Sequence, residues 1–248
     1  MQILEASNLT IRRGQRRLIE ALHWQVHQGE LWCVLGRNGA GKSSLLHALA
    51  GLHGIDQGKI TLMGRALSDL SIAELARLRG LMPQQTIDRF SCRVAEAVAI
   101  GRAPWRIGTA WQDEKDQSLV HDALHQVGML DRLTDDVTHL SGGERQRVAF
   151  AAMLAQNPKL MLLDEPTAHQ DMSQQLLIMR LMQDLAKDHA VIAACHDMNL
   201  AARFATHVLL LGEDCYYLGP AQEVINPAKL SRVFGCAFDY ASEQLVAV

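Results

Sequence analysis

Polar and apolar residues alternate along the first part of the chain. Leu22, Trp24 and Val26 fall on one side of an extended segment, with His23 and Gln25 on the other. This period of two marks strands with one face in a core and the other in water. It predicts strands over residues 2–6, 9–12 and 18–26, and a turn at Gln28 and Gly29. The next run, Leu31-Trp32-Cys33-Val34-Leu35, is apolar throughout and reads as a strand buried on both faces. Helical spacing follows from Ser44 and stops near Gly51 and Gly54. A strand over 59–63, a helix over 72–79 and a strand over 80–82 ending at Pro83 complete this part.

The texture changes between residues 84 and 140. Val94, Ala97, Val98 and Ile100 recur at helical spacing, and so do Val120, Leu124, Val127 and Leu130. A loop rich in tryptophan and charge, residues 102–116, separates them, so a helical insertion is expected. Beyond it the pattern predicts a helix over 142–155, a strand over 160–163, a helix over 173–187 and a strand over 190–195. A helix over 199–205, a hairpin of 207–211 with 215–218, and a mainly helical tail from Ala221 follow. Helices alternating with apolar strands imply an α/β fold whose mainly parallel sheet is covered on both faces, preceded by an antiparallel β-subdomain.

A length of 248 residues suits one large α/β domain with an insertion. A net charge of −3 offers no general surface for polyanions and excludes nucleic acid as the expected partner. The five cysteines, Cys33, Cys92, Cys195, Cys215 and Cys236, are scattered without a C-x-x-C pair. Reduced thiols are expected, rather than a disulfide framework or a zinc site. The first residues contain no apolar core of a secretory leader. The longest apolar stretches, 148–155 and 190–195, fall short of the ~18 residues that cross a bilayer, so a membrane role would run through a partner.

Candidate chemistry begins at Gly36-Arg37-Asn38-Gly39-Ala40-Gly41-Lys42-Ser43, which matches G-x-x-x-x-G-K-[ST]. A bare glycine-rich turn is the plainer alternative, but the strand before and the helix opening at Ser44 supply the context of a phosphate loop. Amides at the helix start face an anion, Lys42 would reach the β- and γ-phosphates, and Ser43 would hold Mg²⁺. A nucleoside triphosphate is the expected ligand, on a P-loop NTPase core.

A second element is Met161-Leu162-Leu163-Asp164-Glu165-Pro166. Acids and a proline also open ordinary helices. Paired with a phosphate loop, the run instead describes a buried strand delivering carboxylates to its C-terminal end. Asp164 suits orientation of Mg²⁺, and Glu165 suits polarising the water that attacks the γ-phosphate.

The third element, Leu140-Ser141-Gly142-Gly143-Glu144-Arg145-Gln146-Arg147, resembles the signature of the ATP-binding-cassette (ABC) family, L-S-G-G-[EQ]-x-Q-R. The resemblance spans essentially the whole chain. It implies one nucleotide-binding domain over 1–248, with a core and β-subdomain in 1–84 and 140–220, a helical subdomain in 85–139 and a C-terminal tail in 221–248. It further implies that Gln84, beside an equally eligible Gln85, senses Mg²⁺ and the attacking water. His196 would contact the γ-phosphate, and Asp171 would communicate across a dimer. Ser141, Gly142, Gly143 and Glu144 would bind ATP held by the phosphate loop of a second copy.

Two positions depart from the family pattern. Arg13 stands where an aromatic residue usually stacks on adenine, a role a guanidinium can also fill. Gln170 stands where leucine commonly precedes the aspartate. Gly101-Arg102-Ala103-Pro104-Trp105, with the 219–225 and 230–235 segments, is similar to importer ATPases for metal chelates: ferric siderophores, cobalamin and haem. That resemblance implies polytopic permease subunits as partners, a substrate-binding protein indirectly, and a peripheral position on the cytoplasmic face of the inner membrane. A soluble ABC ATPase of an assembly system, such as one for iron–sulfur clusters, is the alternative.

Two further features invite readings of their own. His121 and His125 share a helix face without a third ligand nearby, which favours a solvated surface over a metal site. Trp105 and Trp111 suit either a docking surface or a local core.

Overall fold

The computed structural model describes residues 1–84, 91–105, 114–241 and 244–247. The chain opens with long strands β1 (Gln2–Arg13) and β2 (Arg16–His27), then β3 (Leu31–Gly36) and helix α1 (Lys42–Leu49). Next come β4 (Gln57–Leu62), β5 (Arg65–Ala66), α2 (Ile72–Leu78) and β6 (Arg79–Met82). Helices α3 (Val94–Ala99), α4 (Glu114–Gln126) and α5 (Gly142–Gln156) follow, with a 3-10 segment, Ile100–Trp105, after α3. The core resumes with β7 (Leu160–Asp164), α6 (Met172–Ala186), β8 (Ala190–Ala194), α7 (Met198–Phe204), β9 (His207–Leu211) and β10 (Tyr216–Pro220). Helices α8 (Ala221–Val224) and α9 (Pro227–Phe234) lead to strands β11 (Phe238–Ala241) and β12 (Gln244–Ala247).

One sheet runs in the order β2-β1-β4-β5 and is antiparallel. The other runs β10-β9-β3-β8-β7-β6; all its pairings are parallel except the β10 edge. Side-chain alternation explains why its central strands are apolar throughout. Leu31, Cys33 and Leu35 of β3 enter the core beneath the helices, with Met161 and Leu163 of β7. Trp32 and Val34, with Leu160 and Leu162, enter the core shared with α1 and the antiparallel sheet. Each strand separates two cores, so neither face tolerates a polar residue until the chain leaves the sheet.

Two differences from the sequence reading have local causes. Residues 2–6 and 9–12 form one strand, because Asn8 takes a left-handed conformation (φ 53°) that shifts the register between Ala6 and Leu9 without ending the pairing. The tail is not mainly helical to its end: α9 stops at Gly235 (φ 71°), and β11 and β12 pair as an antiparallel hairpin. Gln85 and Trp111 lie outside the described residues.

Candidate nucleotide site

The glycine-rich segment leaves the buried end of β3 as a tight loop whose shape depends on two glycines. Gly36 has φ 151°, and a Cβ there would lie 2.5 Å from the carbonyl oxygen of Leu211 on β9. Gly41 caps α1 at φ 103°, with Leu18 3.0 Å from where its Cβ would be. Side chains at either position would break the loop. Lys42 folds back across it, donating from Nζ to the carbonyls of Gly36 at 2.8 Å and Arg37 at 3.2 Å. Burial lowers the pKa of its ammonium, and the nearby carboxylates of Glu165 and Asp164 oppose that shift.

Asp164 closes β7 and is 2% exposed. Burial raises its pKa, a hydrogen bond from the Ser43 side chain opposes the rise, and its Oδ1 has no hydrogen-bond partner. A buried, unpartnered carboxylate oxygen beside a hydroxyl is the kind of hard-oxygen pair that a divalent cation such as Mg²⁺ takes. Among the described residues no cluster of three or more His, Cys, Asp or Glu could hold a metal ion by itself.

Glu165 is where three strand ends meet. Its backbone sits at φ 53°, strained for a residue with a Cβ. Surrounding bonds hold it there: its N–H donates to Ala194 at 3.2 Å, and its carbonyl accepts from Gln146 Nε2 at 3.0 Å. One carboxylate oxygen accepts from Gln84 Nε2 at 2.8 Å; the other lies 2.5 Å from His196 Nε2. Gln84, Glu165 and His196 follow the adjacent parallel strands β6, β7 and β8, so the sheet gathers them at its C-terminal edge.

A cleft of about 560 Å³ lies over these groups. It brings together Arg13, Asn38, Gly39, Gly41, Lys42, Ser43, Ser44, Gln84, Glu165 and His196. Arg37 and Ala40 line an adjoining recess behind the loop. Arg16 and Leu18 also line the cleft; the sequence reading missed them, as it missed Gln146.

The signature residues stand apart from this cleft. Ser141 caps α5, its Oγ accepting from the Glu144 N–H at 3.3 Å, while Glu144 accepts from the Ser141 N–H at 2.8 Å. That reciprocal box turns the Gly142 end of the helix outward, with Ser141 and Gly142 exposed. Asp171 caps α6, accepting from the Gln174 N–H at 2.9 Å; a hydrogen bond from Ser173, more than this one, lowers its pKa. Ser141, Gly142, Gly143, Glu144 and Asp171 do not line the cleft.

The remaining candidates resolve simply. His121 and His125 are both exposed on α4. Trp105, 40% exposed, donates to the Gln156 carbonyl at 2.8 Å, and the guanidiniums of Arg77 and Arg102 each lie 5.7 Å from its ring centre.

A phosphate loop after β3 and two acids at the end of β7 in the same parallel sheet, with an antiparallel β-subdomain and a helical insertion, define the chain as a nucleotide-binding cassette. The chain belongs to the ABC transporter family, whose pattern residues 19–168 match. It is an ATPase, and its cassette binds ATP. A hemin import ATP-binding protein of Streptomyces coelicolor is 38% identical over 92% of this chain and 82% of its own length. A petrobactin import ATP-binding protein of Bacillus anthracis is 33% identical over 93% and 86%. An inward-facing metal-chelate type ABC transporter superposes with a TM-score of 0.84 at 27% identity, covering 100% of this chain and 96% of that one. Among the described residues no helix is long and apolar enough to cross a membrane.

Proposed function

We propose that this chain is the ATP-hydrolysing subunit of a membrane importer for a metal chelate, such as haem, a ferric siderophore or cobalamin. The observation that carries the catalytic part is Glu165, held between Gln84 and His196 over a cleft floored by the phosphate loop. The names of the hemin and petrobactin relatives support the cargo class.

In this reading residues 36–44 wrap the triphosphate, with backbone amides and Lys42 on its charge. Ser43, Gln84 and Asp164 would hold Mg²⁺, which when bound neutralises charge on the β- and γ-phosphates. Glu165 takes the proton of the attacking water as its oxygen bonds to the γ-phosphorus and the bond to ADP breaks. His196 fixes the Glu165 carboxylate and faces the γ-phosphate.

Ser141, Gly142 and Gly143, supported by the Glu144 cap, point outward and would close on ATP held by a second copy of the chain. Asp171 would lie along the same contact. Loss of the γ-phosphate removes the shared ligand and lets the pair part, a population shift that can drive a membrane partner. The 85–139 region carries that coupling in this reading. A groove of about 400 Å³ between α5 and the 3-10 segment, lined by Ile100, Pro104, Val148 and Met153 among others, suits a helix of the permease. The subunit would then sit peripherally on the cytoplasmic face of the inner membrane, meeting a substrate-binding protein only indirectly.

The test is purification of the tagged chain from gently solubilised membranes, with co-purifying proteins identified and ATP turnover measured. A polytopic partner and Glu165-dependent hydrolysis, stimulated by a chelate-loaded binding protein, are expected. Hydrolysis with soluble partners alone would replace the importer with a soluble assembly ATPase.

A further inference from the structure

Cys33 of β3 and Cys195, just past the end of β8, meet in the core beneath the helices, 0% and 5% exposed. Cys33 pairs in register with Ala193, so Cys195 is its diagonal neighbour, two residues further along. Their sulfurs nevertheless touch. The Cys195 thiol donates to Cys33 Sγ at 3.5 Å, with the Ala193 carbonyl at 3.7 Å as its alternative acceptor. That hydrogen bond, and then burial, push the Cys33 pKa well above the usual thiol range. Both thiols are free, and hydrolysis of ATP uses neither.

The spacing of the backbone decides which chemistry suits the pair. Diagonal positions on neighbouring strands lie about 7–8 Å apart, beyond what a disulfide closes without moving the backbone. An ion between the sulfurs lengthens the bridge and fits that spacing. Zinc asks for four ligands, and among the described residues no third His, Cys, Asp or Glu joins the pair. Soft thiolates select Cu(I), a monovalent cation that two ligands satisfy. Two thiolates around it leave one negative charge, and a counter-charge is at hand. Burial lowers the Lys42 pKa, and charge on Cys195 is among the influences opposing this, so the ammonium lies within electrostatic reach of that sulfur.

We propose that Cys33 and Cys195 form a two-thiolate site for a soft monovalent cation such as Cu(I), and that filling it switches the ATPase off. Binding forms two sulfur–metal bonds and releases both thiol protons to water, with no change of oxidation state. The cleft reaches His196, the residue after Cys195, which gives the ion a route while nucleotide is absent. A linear sulfur–metal–sulfur unit needs the sulfurs farther apart than 3.5 Å, so Cys195 must shift. His196, which holds Glu165, moves with it, and Lys42 gains an anionic neighbour that competes with phosphate. The inhibition rests on the cleft being the catalytic site; the ion site does not.

Anaerobic titration of the full chain with Cu(I), delivered from its bathocuproine complex, tests this. Cys92→Ser, Cys215→Ser and Cys236→Ser together remove the other thiols, and Cys33→Ala, Cys33→Val and Cys195→Ala are made in that background. The background protein should take up one tight equivalent of Cu(I), with thiolate-to-copper absorption and two sulfurs in the copper X-ray absorption spectrum. Each further variant should weaken that equivalent by at least about 100-fold. Cys33→Val keeps the core filled, and its metal-free melting temperature separates a lost ligand from misfolding. ATP turnover by the background protein should fall by more than about tenfold at one equivalent and return with a Cu(I) chelator. Cys33→Val should keep its own turnover under the same conditions. Equal Cu(I) affinity in the variants, or a Cys33–Cys195 disulfide in the background protein, would overturn the site. Uptake with turnover unchanged would overturn the inhibition. No turnover by the metal-free wild type would overturn the catalytic cleft, while the copper spectrum would still report on the thiol pair.

Discussion

Glu165 and His196 meet at 2.5 Å although 31 positions separate them in the chain. The contact follows from register: Asp164 pairs with Ala194 at the ends of β7 and β8, so the residues just beyond the two strands converge. Gln84 binds the other carboxylate oxygen at 2.8 Å. If Glu165 takes the proton of the attacking water, Glu165→Gln should keep the shape and lose the base. Hydrolysis should fall by about 10²–10⁴-fold with ATP affinity retained. Phosphate release measured beside nucleotide binding checks this, and normal turnover would reassign the base.

Removing the imidazole acts on the carboxylate's position rather than its basicity. His196→Ala leaves the Glu165 carboxylate with Gln84 as its remaining hydrogen-bond partner among the described residues, on a strained backbone. We expect kcat to fall by about 10²-fold with KM nearly unchanged, because a misplaced group weakens the transition state more than the bound state. Steady-state kinetics at saturating Mg²⁺ separates the two parameters.

Much of this site is legible in the chain because its parts are local. The phosphate loop, the acids ending β7 and the Ser141 cap are runs of consecutive residues whose chemistry and backbone needs coincide. Arg16 was not legible: it reaches the cleft through hairpin pairing, so spacing along the chain carries no trace of it. Gln146 stands in the signature run, but its bond to the Glu165 carbonyl follows from the packing of α5 and not from the spacing of the motif. The terminal hairpin was hidden for another reason: strands as short as β11 and β12 give too few alternations to compete with the helical spacing before them.

Asp164 makes stability depend on pH in a direction opposite to a paired carboxylate. Its folded pKa is raised by burial, so as pH falls the folded chain takes up this proton before the unfolded chain does. The resulting stabilisation is complete below the unfolded value of about 3.9 and is lost as pH rises through the raised folded value. Asp164→Asn should remove that dependence. It should stabilise the nucleotide-free protein at neutral pH by about 1 kcal/mol, or ~2–4 °C in melting temperature. Melting curves across that pH window check the sign, and ATP turnover should be lost in the same variant.

Arg102 ties the groove wall to its surroundings. Its Nε donates to Asp116 at 2.7 Å and its Nη1 to the Ala155 carbonyl at 2.8 Å, with both side chains of the ion pair largely buried. Arg102→Ala removes this ion pair and the bond to the Ala155 carbonyl, and loosens the 3-10 segment that carries Trp105. We expect a loss of about 2 kcal/mol, read from the urea midpoint. Arg102→Lys should recover only part of it, because one ammonium cannot reproduce the fork. If the groove seats the proposed permease helix, association with that partner should weaken in both variants in the same order.

Gly36 shows how closely the loop is set against the sheet. Its φ is 151°, and the Cβ of an alanine there would fall only 2.5 Å from the Leu211 carbonyl oxygen. Alanine would therefore need both a backbone shift and movement of β9. Displacing either disturbs the Gly36 carbonyl that Lys42 Nζ holds at 2.8 Å. Gly36→Ala should cost about 2–3 kcal/mol of stability and lower ATP affinity by at least about tenfold. Gly54→Ala is the control, since a Cβ there meets nothing within 4 Å and its φ is ordinary. That change should be neutral or slightly stabilising, by up to ~1 kcal/mol, through the unfolded chain. Equal effects at the two glycines would mean that the loop yields where its geometry says it cannot.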